Sequence, residues 1–229
     1  MPYLLAIETA TKICSVGLFK DGELLLLKEE NGDYSHAENL ADFTNQLLVK
    51  SKLDVKDLSA VVVSKGPGSY TGLRIGVSFA KGLCYALKIP LISIDTLHAI
   101  ALGWVQSGSP EVDLICPMID ARRMEVYSAI YNSNLQSLKS ISADIIEVNS
   151  YSELIQDKTV VFIGDGANKC QNLLQGEKRT FRGDFLPSAA YLGKEGYIKF
   201  QKSNFEDVAY FEPFYLKEFI ALKSKKSVI

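Results

Sequence analysis

The chain has 229 residues, 47% of them apolar and 23% charged, with a formal net charge of −2. Those proportions exclude a disordered chain, and the near-neutral balance excludes a general electrostatic attraction to nucleic acid. At this length one compact domain is stretched, and two of roughly 100 residues each fit better.

Residues 3–7 are apolar, 13–19 alternate, and 24–27 are apolar again after Asp21-Gly22, a dipeptide that favours a tight hairpin turn. The pattern predicts three antiparallel strands. Leu40, Thr44, Leu47 and Leu48 then recur at helical spacing, with Ser35 as the cap and Glu38 completing an S-x-x-E capping box. After this helix come an apolar strand at 60–63, a glycine-rich loop, a helix over about 69–87, a strand at 90–94 and a helix over about 96–105. Residues 106–110 are polar and contain Gly108 and Pro110, which marks them as a linker.

Beyond the linker the order starts again, with strands at 114–119, 125–131 and 135–141, a strand at 159–163 and the turn Gly164-Asp165-Gly166. The expectation is an α/β protein made of two lobes of one topology, residues 1–107 and 108–212. Residues 213–226 carry Phe214, Leu216, Phe219, Ile220 and Leu222 in a pattern that suits a helix closing back on the first lobe. The four cysteines are widely separated without a C-x-x-C pair, which fits buried thiols in a reducing compartment. No basic leader precedes the first strand and no run of 18 apolar residues occurs, so neither secretion nor membrane insertion is expected; the predicted location is the cytoplasm.

The most informative stretch is 65–76, where a strand passes through Gly66, Gly68 and Ser69 into a helix. A helix start presents unpaired N–H groups and a partial positive charge, so an anion or nucleotide phosphate could sit there, joined by the hydroxyls of Thr9 and Thr11 in the first hairpin. The other reading is a tight turn with Ser69 as helix cap. The glycines make G-x-G-x-x-x-G, one residue too long for a dinucleotide fingerprint, and Lys65 precedes the loop where a P-loop needs it after the last glycine. Ala10 also replaces the glycine that phosphate-wrapping hairpins often use.

Within the following helix Gly72, Gly76 and Ala80 line one stripe beside Leu73, and each interior glycine costs about 1 kcal/mol against alanine. Such a stripe implies close approach by another helix, either from this chain or from a partner. His36 and His98 have no second ligand one turn away, and no G-x-S-x-G or H-E-x-x-H occurs, so neither a metal site nor a catalytic residue is predicted. Asp120, Arg122, Arg123 and Glu125 form a dense charged turn, which surface salt bridges would explain.

Residues 4–11 (LLAIETAT), Ser35-His36 and 66–76 (GPGSYTGLRIG) closely resemble the bacterial TsaB family, also called YeaZ, with 120–127 (DARRMEVY) and 213–217 (PFYLK) as later matches. The resemblance implies two actin-like, ribonuclease-H-like lobes and a part in making N6-threonylcarbamoyladenosine at position 37 of tRNA. It further implies a non-catalytic subunit that binds the catalytic paralogue TsaD together with the P-loop ATPase TsaE, or a second copy of itself when TsaD is absent. On that reading Leu40, Thr44 and Leu47 of the first helix and Gly72, Leu73, Gly76 and Ala80 of the second form the partner interface. No cofactor belongs to this chain, a nucleotide could sit at the interface with a partner, and tRNA is reached only through the complex. The competing readings are a stand-alone ATPase or M22-type peptidase-like enzyme, and direct tRNA binding through the lysine-rich tail.

Overall fold

The computed structural model describes residues 1–32 and 36–217. Strands β1 (Tyr3–Glu8), β2 (Ile13–Lys20) and β3 (Glu23–Asn31) form the predicted meander, and Asp21 and Gly22 at its second turn both have positive φ, 53° and 87°. Helix α1 (His36–Ser51) leads to β4 (Leu58–Ser64), helix α2 (Tyr70–Leu87) to β5 (Leu91–Ile94), and helix α3 (Thr96–Gln106) leaves the first sheet. The sheet order is β3-β2-β1-β4-β5, with β4 and β5 parallel to β1. The predicted cap Ser35 lies outside the described residues.

The second half repeats this plan. Strands β6 (Leu114–Asp120), β7 (Glu125–Asn132) and β8 (Ser137–Ile145) form a second meander. The short helix α4 (Ser152–Ile155), β9 (Val160–Ile163), helix α5 (Ala167–Leu174) and β10 (Arg179–Arg182) follow, and the sheet order is β10-β9-β6-β7-β8. Position for position this is the first sheet again, so the doubled topology read from the strand order holds.

Alternation along the strands builds the layers. Leu5 and Ile7 of β1 face α1 and α2 with Val61 and Val63, while Leu4 and Ala6 face the opposite layer with Ala60 and Val62. That opposite layer is not where the sequence reading placed it. Ala189, Leu192 and the last helix, α6 (Gly193–Gln201), pack on the first sheet, so the chain crosses back well before residue 212. Burial of Phe19 against Gly193 and of Val62 against Gly196 explains why a weakly patterned segment docks there: the glycines admit large first-lobe side chains.

Helix α3 is buried along most of its length, including Thr96, Leu97 and residues 99–104. Ala99 belongs to the first-lobe core, whereas Leu97, Ile100, Ala101 and Trp104 pack with Ile115, Ile119, Val161 and Ile163 of the second sheet. A helix that is apolar all round must be covered on every side, and here both lobes cover it. Residues 213–217 are also not the start of a helix: Phe214 N–H donates to the Lys65 carbonyl at 2.7 Å and the Tyr215 ring packs on Tyr70 with centroids 4.7 Å apart. They still close on the first lobe, and the rest of the predicted helix lies outside the described residues.

One carboxyl is fully buried in this core. Glu8, at the end of β1, has its pKa pushed up to about 7 by burial, partly offset by the Ala10 N–H that donates to its Oε1 at 2.6 Å. The nearby Ser64 hydroxyl also favours the charged form, yet neither Glu8 Oε2 nor Ser64 Oγ has a hydrogen bond of ordinary geometry.

Two outcomes follow from these contacts. Leu97→Ala should cost about 2–5 kcal/mol, and because α3 joins both cores, urea curves followed by Trp104 fluorescence and far-UV circular dichroism should coincide; separated transitions would show that the lobes unfold independently. Glu8 binds its proton more tightly folded than unfolded, so its contribution to stability is greatest at acid pH and falls as pH rises from about 4.5 to about 7. Glu8→Gln should remove this fall, on the order of 3 kcal/mol, so the variant gains on the wild type between pH 5 and pH 8; equal pH profiles would show that Glu8 ionises freely.

Candidate functional site

The first hairpin and the glycine loop are locked to one another. Thr9 Oγ1 donates to the Gly72 carbonyl at 2.8 Å, and Ser69 N–H donates to the Ala10 carbonyl at 2.7 Å. Thr11 Oγ1 accepts from Ile13 N–H, and His36 Nε2 lies 3.0 Å from the Thr11 carbonyl, which makes Nε2 the protonated nitrogen and leaves Nδ1 buried without a partner. Ser69 caps α2 by accepting from Gly72 N–H at 3.3 Å. Gly66, at φ 115°, exchanges hydrogen bonds with Thr96, its N–H to Oγ1 at 3.1 Å and its carbonyl from the Thr96 N–H at 2.9 Å.

The residues considered for an anion loop, Thr9, Thr11, Gly66, Gly68 and Ser69, are therefore brought together. Their polar groups are largely engaged within the chain: a Cβ at Gly68 would overlap the Ala10 carbonyl oxygen, so this glycine serves the approach of one loop to the other. The small-residue stripe has the same explanation. A Cβ at Gly72 would collide with the Thr9 carbonyl oxygen and one at Gly76 with Thr9 Oγ1, so the stripe receives a turn of its own lobe and not a second helix.

This corrects the expected partner interface. Leu40, Thr44 and Leu47 on α1 and Gly72, Leu73, Gly76 and Ala80 on α2 are all buried in the first-lobe core. Apolar periodicity marks the inward face of an amphipathic helix, and that face is spent on the sheet. The outward face carries Ala41, Asn45 and Val49 on α1 and Thr71, Arg74, Ser78, Gly82 and Tyr85 on α2. A Cβ at Gly82 would meet nothing within 4 Å, so among the described residues nothing accounts for a glycine at this helical position. Sequence spacing alone does not separate Gly82 from the glycines of the core-facing stripe.

Between the two lobes, a cleft of about 620 Å³ is lined by Asp95, His98, Tyr131, Glu195, Lys199 and Phe214. Burial lowers the pKa of His98, against the opposing pull of Glu195 and Asp95, and its ring meets Tyr131 edge-on at 5.5 Å. Among the described residues no group of three or more His, Cys, Asp or Glu side chains is arranged to hold a metal ion, and no helix is long and apolar enough to cross a membrane. All four cysteines are buried and free, and burial raises the pKa of each, Cys14 to about 11.

The β6–β7 turn differs from the salt-bridged cluster expected of it. Lys169, on α5, donates to Asp120 Oδ1 at 2.5 Å and to the carbonyls of Arg123 and Glu125 at 2.9 and 2.7 Å. Lys217 pairs with Glu125. Both acids of the turn are thus taken by distant lysines, and among the described residues the guanidinium groups of Arg122 and Arg123 have no ion pair or hydrogen bond.

Residues 30–226 match the family model described as TsaD: tRNA N6-adenosine threonylcarbamoyltransferase. Among curated proteins, the tRNA threonylcarbamoyladenosine biosynthesis protein TsaB of Buchnera aphidicola subsp. Schizaphis graminum is 30% identical over 183 residues, 77% of this chain and 85% of that protein. TsaB of Escherichia coli K12 is 37% identical over 129 residues, 56% of this chain; the match spans about half of that protein, 54%. TsaB of Haemophilus influenzae is 26% identical over 96% of this chain and 95% of that protein. Among solved structures, YeaZ from Pseudomonas aeruginosa superposes with a TM-score of 0.83 at 24% identity, covering 94% of this chain and all of that one. An activator of 2-hydroxyisocaproyl-CoA dehydratase from Clostridium difficile with bound ADPNP superposes at 0.51 and 11% identity, covering 88% of this chain and 97% of that one, a likeness of fold alone. With two actin-like lobes and these matches along its length, the chain belongs to the TsaB family, also called YeaZ, of tRNA threonylcarbamoyladenosine biosynthesis proteins.

Proposed function

We propose that this chain is a non-catalytic scaffold subunit of the bacterial assembly that makes N6-threonylcarbamoyladenosine at position 37 of tRNA, binding and organising a TsaD-type catalytic partner together with TsaE. The observation that carries this reading is the outward face of α1 and α2. Ala41, Ser78 and Gly82 keep it flat while Val49 and Tyr85, 69% and 83% exposed, offer apolar surface at its end. An exposed interior glycine is costly to a lone helix and useful where a second helix must approach closely.

The same face serves pairing with a second copy of this chain when the catalytic partner is absent, because homologous helices present the same contour. A nucleotide belongs to the contact with a partner in this reading, since the Thr9 and Thr11 hydroxyls and the Ser69 cap are already engaged inside the chain. Those engagements also argue against a stand-alone ATPase built on this hairpin. The TsaD family model leaves the chemistry open, and the reading rests here on the site: no nucleophile with an adjacent base was found among the groups described above. The expected setting is the cytoplasm, where tRNA is modified.

Gly82 separates the interface from the core. Gly82→Ala should raise stability by about 0.5–1 kcal/mol and leave association intact. Gly82→Trp should weaken binding to the TsaD-type partner at least tenfold, measured by calorimetry with a folded variant; unchanged affinity would move the interface off this face. Gly76→Leu, in contrast, should lower the melting temperature sharply, because it displaces Thr9 from α2.

A further inference from the structure

The geometry points to the Arg122–Arg123 tip of the β6–β7 hairpin as a contact for the phosphate backbone of RNA, made by the tRNA on which the assembled complex acts. This inference rests on the proposed role in tRNA modification and adds to it a residue-level contact.

The argument begins with charge. Across the turn and its anchors there are three carboxylates, Asp120, Glu125 and Asp165, against four cations. Lys169 takes Asp120, Lys217 takes Glu125 and Asp165 accepts the Asp120 N–H at 2.9 Å, so among the described residues neither Arg122 nor Arg123 has an acidic partner, and both are exposed. In a chain whose net charge is −2, an unpaired arginine pair is a local positive site and not part of a general basic surface.

The backbone that presents them is fixed. Lys169 directs three donor contacts into the turn, Arg122 N–H donates to Asp120 Oδ1 at 2.7 Å, and Ala121 N–H donates to the Glu125 carbonyl at 3.0 Å. Both arginines are held in the left-handed region, φ 70° and 50°, where residues with a Cβ are uncommon. Holding two such residues costs stability, and the anchors that hold them leave only the guanidinium side chains to be ordered on binding.

The ligand chemistry follows from the side chain. A guanidinium is a planar fork that stays charged and matches two phosphate oxygens at once. Two adjacent forks suit a polyanion whose charges are closely spaced, and tRNA is the polyanion named by the family to which this chain belongs. Residues 213–217 run from the Lys65 carbonyl to Glu125, so the base of the tip is joined to the end of β4 and the start of the glycine loop.

The test uses the full chain assembled with its TsaD-type partner and measures tRNA affinity from about 50 to 300 mM salt. Arg122→Asn with Arg123→Gly removes both charges and suits the left-handed backbone; Arg122→Lys with Arg123→Lys keeps the charge. The neutral variant should bind tRNA roughly tenfold or more weakly, with a salt slope reduced by about 1 per arginine, while the lysine variant keeps the slope. An unchanged affinity and slope in the neutral variant, with assembly intact, would overturn the inference. So would lost assembly with unchanged tRNA slope, which would give the tip to an acidic protein surface. If the wild-type chain neither joins the partner nor affects modification, the proposed scaffold role fails first, and that result is distinct from the other two.

Discussion

Thr9 pressed into α2 is the contact on which the first lobe depends. Its hydroxyl donates to the Gly72 carbonyl, and the neighbouring backbone occupies the space that side chains at Gly72 and Gly76 would fill. This contact lets α2 lie directly against the first hairpin. Glu8 belongs to the same construction, because its carboxyl accepts the Ala10 N–H and so shapes the turn that α2 receives. Burial that pushes its pKa up to about 7 and a carboxylate oxygen spent on the Ala10 N–H fit a structural part for Glu8.

The two lobes repeat one topology but do not stand apart. Helix α3 belongs to both cores, and α6 returns from the second lobe to cover the first sheet. Hinged opening of an actin-like pair requires a thin connection, whereas here a buried helix and residues 213–217 both bridge the boundary. The Tyr70–Tyr215 stack and the Lys217–Glu125 pair place the bridge beside the glycine loop. Such stiffness suits the proposed scaffold role, since a surface held at fixed geometry loses less conformational entropy on binding.

Strand order, the Asp21-Gly22 turn and the doubled plan were legible because each rests on local periodicity or local turn chemistry. The role of α6 was not, since Gly193 and Gly196 look unremarkable until Phe19 and Val62 are placed against them. The helix faces show the limit most clearly. Periodicity marked Leu40, Thr44 and Leu47 on one helix and the stripe ending at Ala80 on the other, and all are buried, but it carries no label for what covers them. A partner and the chain's own sheet leave the same trace in sequence. Gly82 was distinguishable from Gly76 only by the emptiness around it.

The charged turn at residues 120–125 was misread for a related reason. Within the local sequence its two acids and two arginines balance, and local balance is all that short-range reasoning sees. Pairing in the fold is decided by which cation reaches the carboxylate with the best geometry and the least loss of entropy. Lys169, docked on α5 and only partly exposed, is already committed to the backbone carbonyls of Arg123 and Glu125, so it outcompetes an arginine on the turn itself. A locally neutral segment thereby becomes a positive tip on a protein of slightly negative charge. Such a contrast between local and global charge gives binding that is confined to one spot, whereas a uniformly basic surface would hold RNA anywhere.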